Sequence, residues 1–252
     1  MSSARYISSI AVDPEGNVLT TGYTSGPVFP LKNPIFKTFS GGLDAFAAKI
    51  NPDESTLEFS TYLGGRGDES GSKIYADARA IYLTGSTTSG DFPVKNAFDA
   101  THNGDRDCFV LKIDQENYNL VYSTFLGGSG EDRSSDMCID PEGDVFITGF
   151  TTSSDFPLRG AIGKSLGGDV DAFIVGLDST GKQPKLSTYF GGSQSIWTHM
   201  RAEDWGQGMA VIGNNIYLTG KTLSDDFPLK NELIDYHDWG GRAFISRFLY
   251  KK

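Results

Sequence analysis

The chain has 252 residues, with 22 Lys and Arg against 32 Asp and Glu for a formal net charge of −10, 38% apolar residues, 12% aromatics and 31 Gly. That composition excludes a disordered or collagen-like chain, and the acidic balance argues against nucleic acid as a partner. Apolar runs such as Ala172-Phe173-Ile174-Val175 fall far short of the roughly 18 residues needed to cross a bilayer, so no membrane insertion is expected. The opening Met1-Ser2-Ser3-Ala4-Arg5-Tyr6 has no basic region followed by an apolar run, and no secretory leader is read from it.

In chain order, the first apolar runs are short and rich in Val, Ile, Tyr, Phe and Thr, broken by Gly, Pro, Asp and Asn, which predicts strands and turns. Strand a is expected over Ser9 to Asp13 and strand b over Val18 to Tyr23, joined by the hairpin Pro14-Glu15-Gly16-Asn17. After a connection of about twenty residues, strand c is expected over Ala45 to Ile50 and strand d over Leu57 to Leu63. Helical periodicity is nowhere sustained.

This unit then recurs. Thr-Gly is followed seven residues later by Phe-Pro at Gly22 and Phe29, Gly85 and Phe92, Gly149 and Phe156, and Gly220 and Phe227. Seventeen residues beyond each of these Phe stands another: Phe46, Phe109, Phe173 and Phe244. Sixteen further on come Ser60-Thr61-Tyr62, Ser123-Thr124-Phe125 and Ser187-Thr188-Tyr189, each ending in Gly-Gly, three times and not four. Steps of 63, 64 and 71 residues between Phe-Pro anchors divide residues 1–252 into four tandem repeats of one domain, approximately 1–65, 66–128, 129–192 and 193–252. Four antiparallel strands per unit, repeated radially, predict an all-β fold, a β-propeller of four four-stranded blades. The last blade lacks its outer strand.

Together these anchors resemble the bacterial SBBP β-propeller repeat, whose units look like Ser-Thr-Tyr-Leu-Gly-Gly, an Ala-Val-Asp-x-x-Gly-Asn hairpin, Thr-Gly, Phe-Pro and Gly-Asp-Ala-Phe. The resemblance implies a propeller and an extracellular or cell-surface protein, and it brings no catalytic residues with it. Four units correspond either to a closed four-bladed ring or to an arc of a larger propeller. The missing strand predicts completion of the edge at residues 243–249 by a neighbouring segment or chain, because an unpaired strand edge invites association.

In a radial fold the d-to-a and b-to-c connections share one face, and long loops on a rigid scaffold are where binding usually resides. The fourth unit carries eight extra residues there, and Trp197, Trp205 and Trp239 all fall in its loops, with His199, His237, Glu203 and Asp204. Aromatic rings beside acids and histidines suit a carbohydrate or a protein ligand; the structural reading is that Trp197 and Trp205 plug the channel or seal the first blade on the last. Asp68, Glu69, Glu131 and Asp132 offer oxygens for Ca²⁺, the single cofactor considered, against the simpler reading of a solvated acidic rim. Asp44, Asp107 and Asp171 beside Gly pairs read as turn caps.

Gly163-Lys164-Ser165-Leu166-Gly167 fits a hydrolase-type Gly-x-Ser-x-Gly, but it aligns with a b-to-c loop and not with a strand-to-helix turn. Arg66-Gly67-Asp68 is a three-residue match to an adhesion tripeptide. Cys108 and Cys138 are expected to be free thiols. The favoured function is a non-catalytic binding or scaffold propeller. The alternatives are a polysaccharide-acting enzyme using the paired carboxylates Glu131, Asp132, Glu203 and Asp204, and a structural repeat that assembles with itself.

Overall fold

A computed structural model describes residues 5–195, 201–228 and 241–250. The chain is all-β. The first sheet holds β1 (Arg5–Val12), β2 (Val18–Thr24), β3 (Asp44–Asn51) and β4 (Thr56–Leu63). The second holds β5 (Glu69–Ala76), β6 (Ala80–Thr87), β7 (Asp107–Asp114) and β8 (Leu120–Leu126), and the third β9 (Asp132–Ile139), β10 (Val145–Thr151), β11 (Asp171–Leu177) and β12 (Pro184–Phe190). A three-stranded fourth sheet follows with β13 (Asp204–Ile212), β14 (Asn215–Thr222) and β15 (Arg242–Leu249). Every sheet is an antiparallel meander in sequence order, and the first strand of each packs against the preceding sheet, β5 on β1 and β2, β9 on β5 and β6, β13 on β9 and β10. This is the blade-like packing of a propeller, with β1, β5, β9 and β13 innermost.

The recurring anchors each have a physical task. The Thr hydroxyl of Thr-Gly donates to the carbonyl of the strand c Phe: Thr21 to Phe46 at 2.7 Å, Thr84 to Phe109 at 2.9 Å, Thr148 to Phe173 at 2.7 Å. The Gly faces a β-bulge in strand a, where a side chain would strike the carbonyl oxygen of Tyr6, Ser70, Arg133 or Trp205. The Phe of Phe-Pro packs on the strand c Phe, with centroids 4.8, 4.5, 5.0 and 4.5 Å apart in the four blades. Strands start and stop within a few residues of the sequence expectation because these contacts recur in register.

The b-to-c connections of the first three blades are tied down. Each runs antiparallel along the outer strand, with isolated bridges Lys32 to Ser60, Lys95 to Ser123 and Arg159 to Ser187. The amides of Phe36, Asp99 and Gly163 donate to Thr61, Thr124 and Thr188, each at 2.9 Å. That is the task of Ser-Thr: it covers an edge strand with its own connection. Gly163 sits in this pairing, which removes Gly163-Lys164-Ser165 from any nucleophile turn.

Blade packing runs from the first sheet to the fourth and, among the described residues, does not close back on the first. On β1, Ile10 is 67% exposed, whereas Ile74 at the same place in β5 is 1% exposed. On β15, Ile245 is 77% exposed, whereas Ala47, Val110 and Ile174 at its position are fully buried. The described residues therefore form an arc with two open blade faces. Arg5 and Tyr6 pair with Thr24 and Tyr23 of the first blade and not with the edge of β15.

Candidate functional site

Acidic side chains at the loop-rich end are arranged as staples. The residue opening strand a is an acid in three blades, Glu69, Asp132 and Asp204, all without solvent exposure. Glu69 accepts from the Gly65 amide (2.8 Å), Thr87 Oγ1 (2.6 Å) and Ser89 Oγ (2.5 Å). Asp132 accepts from the Gly128 amide (2.8 Å) and Ser153 Oγ (2.7 Å), and Asp204 from the Gly192 amide (2.7 Å) and Ser224 Oγ (2.8 Å). The residue opening strand c, Asp44, Asp107 or Asp171, caps its own loop by accepting the amides of Ser40 and Gly41, of Asn103, or of Gly167 and Gly168.

These acids come in pairs across each blade junction. At Gly127 an added Cβ would lie 2.7 Å from Asp107 Oδ1 and 2.8 Å from Asp132 Oδ2, and Gly64 and Gly191 are similarly bracketed by Asp44 with Glu69 and by Asp171 with Asp204. Burial raises all six above the usual carboxylate range. Asp107 and Asp171 are pushed up to about 6, and the neighbouring Asp132 and Asp204 charges add to the burial.

This corrects the picture of a solvated acidic rim: Glu69, Asp132 and Asp204 lie inside, and their oxygens serve amides and hydroxyls that hold neighbouring loops together. Glu69, Asp132 and Asp204 each accept protein donors, while Oδ1 of Asp132 and of Asp204 is buried without a hydrogen-bond partner among the described residues. No cluster of three metal-ligating side chains occurs among the described residues. Asp68 is exposed, and its backbone amide donates to Thr88 Oγ1 at 2.8 Å. In the tripeptide it belongs to, Arg66 reaches Asp91 (3.5 Å) and the Gly67 amide donates to Ser89 (2.7 Å). A further acid precedes three of the four Phe-Pro pairs: Asp91, Asp155 and Asp226 accept the amides of Arg66, Ser129 and Ser193. The amide and hydroxyl of Ser129 hold Asp155 below its usual pKa.

Of the expected fourth-blade cluster, Glu203 and Trp205 lie at the start of β13, Glu203 bridging to Val170 and the half-buried Trp205 ring carrying Lys221 Nζ 5.1 Å from its centroid. Trp197, His199, His237 and Trp239 lie outside the described residues. Cys108 and Cys138 are both free thiols.

A site that sequence reasoning missed lies at the hub. A cavity of about 430 Å³ opens among the first three blades, lined by Tyr23, Ser86, Arg106, Arg133 and Phe150, with the acids Asp68 and Glu69 also on its wall. Arg133 binds Glu131 through Nε and Nη2, both at 2.6 Å. Arg106 is more enclosed, its side chain 20% exposed, with Glu131 4.0 Å away and Ser86 Oγ at 3.5 Å. Burial, and then the adjacent Arg133 charge, hold Arg106 below its ordinary pKa. The signal for this site was present in the repeat register. Arg106 stands where the other blades have Leu43, Val170 and Gly241, and Arg133 where they have Tyr6, Ser70 and Trp205. The two departures come from different strands, and only the blade packing brings them together.

Residues 2–30 match the SBBP beta-propeller repeat. No curated protein matches the chain. Among solved structures it is similar to a protein of unknown function from Dyadobacter fermentans, with 14% identity over 84% of this chain and 56% of that one at a TM-score of 0.44. It is also similar to a luciferin-regenerating enzyme (13% identity, 90% of this chain and 56% of that one, TM-score 0.38). A third is hydrazine synthase from Kuenenia stuttgartiensis (11% identity, 96% and 66%, TM-score 0.41). The chain thus spans little more than half the length of the first two.

Proposed function

We propose that this chain is a non-catalytic binding module of an exported or surface protein, taking a saccharide in the hub cavity between its first three blades. The observation that carries the reading is the wall chemistry of that cavity: the rings of Tyr23 and Phe150 offer apolar surface, while serine hydroxyls, two guanidiniums and the carboxylates of Asp68 and Glu69 offer directed hydrogen bonds. Sugars combine apolar ring faces with a rim of hydroxyls and suit such a wall. The carboxylates that an acid–base mechanism would use support binding instead of catalysis. Asp132 and Asp204 are buried and bonded to protein donors, and Glu131 is held by Arg133.

A thermal-shift screen against soluble neutral and acidic polysaccharides tests this. A ligand at a hundred times its Kd stabilises by about 2.7 kcal/mol, and the shift is expected to disappear in Phe150→Ala and to survive in Trp205→Ala. Loss in Trp205→Ala alone moves the site to the fourth-blade loops. A flat response to every sugar overturns the saccharide reading.

A second reading, a repeat that assembles with copies of itself, is favoured by the two open blade faces. Ile7, Ile10 and Val12 line one, and Ile212, Ile245 and Leu249 the other, each more than 60% exposed. Contiguous apolar patches of this kind mark interaction surfaces. Light scattering of the wild type and of Ile245→Asp decides it: a concentration-dependent mass abolished by the substitution supports assembly, and a monomer at all concentrations eliminates it.

A further inference from the structure

We propose that Arg106 gives the hub cavity a preference for a saccharide bearing a carboxylate, a uronic acid; this rests on the saccharide reading above and specifies its ligand. The starting point is the cost of Arg106. At its position the repeat uses Leu43 and Val170, whose backbone carbonyls accept the amides of Glu69 and Asp204 just as that of Arg106 accepts the amide of Asp132. The backbone role therefore needs no particular side chain, and the guanidinium is an addition peculiar to the second blade.

The addition is poorly compensated from within the protein. A guanidinium presents five N–H donors in a planar fork. Arg106 is four-fifths enclosed, yet its polar contacts are the Ser86 hydroxyl at 3.5 Å and Glu131 at 4.0 Å. Both are long, and the first is at the limit of a hydrogen bond. Glu131 does not make up the difference, because Arg133 engages the same Oε1 at 2.6 Å from two nitrogens. Arg106 thus lies beside a second cation on the wall of a cavity of about 430 Å³ that Asp68 and Glu69 also line, and its one ion pair among the described residues, with Glu131, is long. The direction of its pKa agrees with this.

A carboxylate fits the fork in a bidentate manner and replaces the long contacts to Ser86 and Glu131 with short charge-assisted ones. The opposite walls fix the rest of the ligand's character. Tyr23 from β2 and Phe150 from β10 are apolar surfaces, and Ser86 and Ser135 are hydroxyl partners, so the group carrying the carboxylate is a polyhydroxylated ring and not a bare inorganic anion.

The test compares uronic-acid oligosaccharides (galacturonate, glucuronate and mannuronate series) with the same oligosaccharides after methyl esterification, by calorimetry on the full chain. Esterification removes the charge and leaves the sugar unchanged. At least one acidic series is expected to bind tenfold or more tighter than its ester, with an affinity that falls as salt is raised. Arg106→Leu installs the residue the first blade carries at this position, so the variant keeps the blade contacts. It is expected to bind acid and ester alike at the ester's affinity. Equal binding of acid and ester by the wild type, or an acid preference that persists in Arg106→Leu, overturns the proposal while leaving the saccharide reading in place. Binding of neutral sugars alone does the same. If no sugar of any kind binds, the saccharide reading fails and the uronic-acid proposal with it.

Discussion

Replacing Asp171 by Asn should flatten the pH dependence of stability between pH 5 and pH 7.5. Asp171 is 1% exposed, accepts the Gly167 amide at 2.8 Å and the Gly168 amide at 3.3 Å, and faces Asp204 across Gly191. Burial, with the Asp204 charge adding to it, moves its pKa from 3.8 to about 6. A carboxyl whose folded pKa is raised binds its proton more tightly in the folded than in the unfolded chain. Between about pH 4 and pH 6 the folded state holds more protons, so stability falls as pH rises through that window. With each tenfold in proton affinity worth ~1.4 kcal/mol, the one site costs about 3 kcal/mol at neutral pH relative to a pH below both values, and about 1.4 kcal/mol of that falls above pH 5. Asp107, also pushed up to about 6, acts in the same direction. The acids with lowered values, Asp13, Asp155, Asp178 and Asp226, act oppositely but below pH 4, outside the window. Urea unfolding at pH 5 and pH 7.5 measures the effect. The wild type should be about 3 kcal/mol more stable at pH 5 from Asp107 and Asp171 together, and Asp171→Asn should lose about 1.4 kcal/mol of that difference, since its amide oxygen still accepts a glycine N–H and cannot ionise. Relaxed repulsion among the net negative charges adds to the wild-type slope but cancels in the comparison. Wild-type stability that rises from pH 5 to pH 7.5, or an unchanged slope in Asp171→Asn, refutes the staple as described.

Gly149→Ala should cost about 3 kcal/mol or more in chemical denaturation, because the added methyl strikes the Arg133 carbonyl at the bulge and backbone cannot yield as a side chain can. Tyr189→Phe should cost only about 1 kcal/mol: it deletes a hydroxyl that donates to the Ser153 carbonyl at 2.6 Å and accepts the Phe156 amide at 3.0 Å, and the second blade already has Phe125 at this place. A loss above 3 kcal/mol would mean that the hydroxyl organises more than its own blade. In thiol labelling under native conditions Cys108 should react only as fast as the protein opens globally, being fully buried with its thiol pKa raised by burial, whereas the half-buried Cys138 should react sooner. Equal protection of both would contradict the packing at Cys138.

The sequence by itself determined what repeats. Thr-Gly at Gly22, Phe-Pro at Phe29, the strand c aromatic at Phe46 and Ser-Thr at Ser60 recur at constant offsets because each makes a contact within its own blade, so chain distance reports spatial register directly. The four sheets, the three-stranded last one among the described residues, and the capping role of Asp44, Asp107 and Asp171 were legible for that reason. Contacts between blades were not. Whether Glu69, Asp132 and Asp204 face water or the interior depends on how the next blade docks. Likewise, the exposure of Ile10 and Ile245 depends on whether the fourth blade meets the first. The hub site is the clearest case. Arg106 precedes β7 and Arg133 lies in β9, and in the sequence each is merely a residue that breaks the repeat. Only the stacking of the second and third blades brings the two guanidiniums to one cavity wall, because a period records what neighbouring blades share, while a binding site is built where they differ.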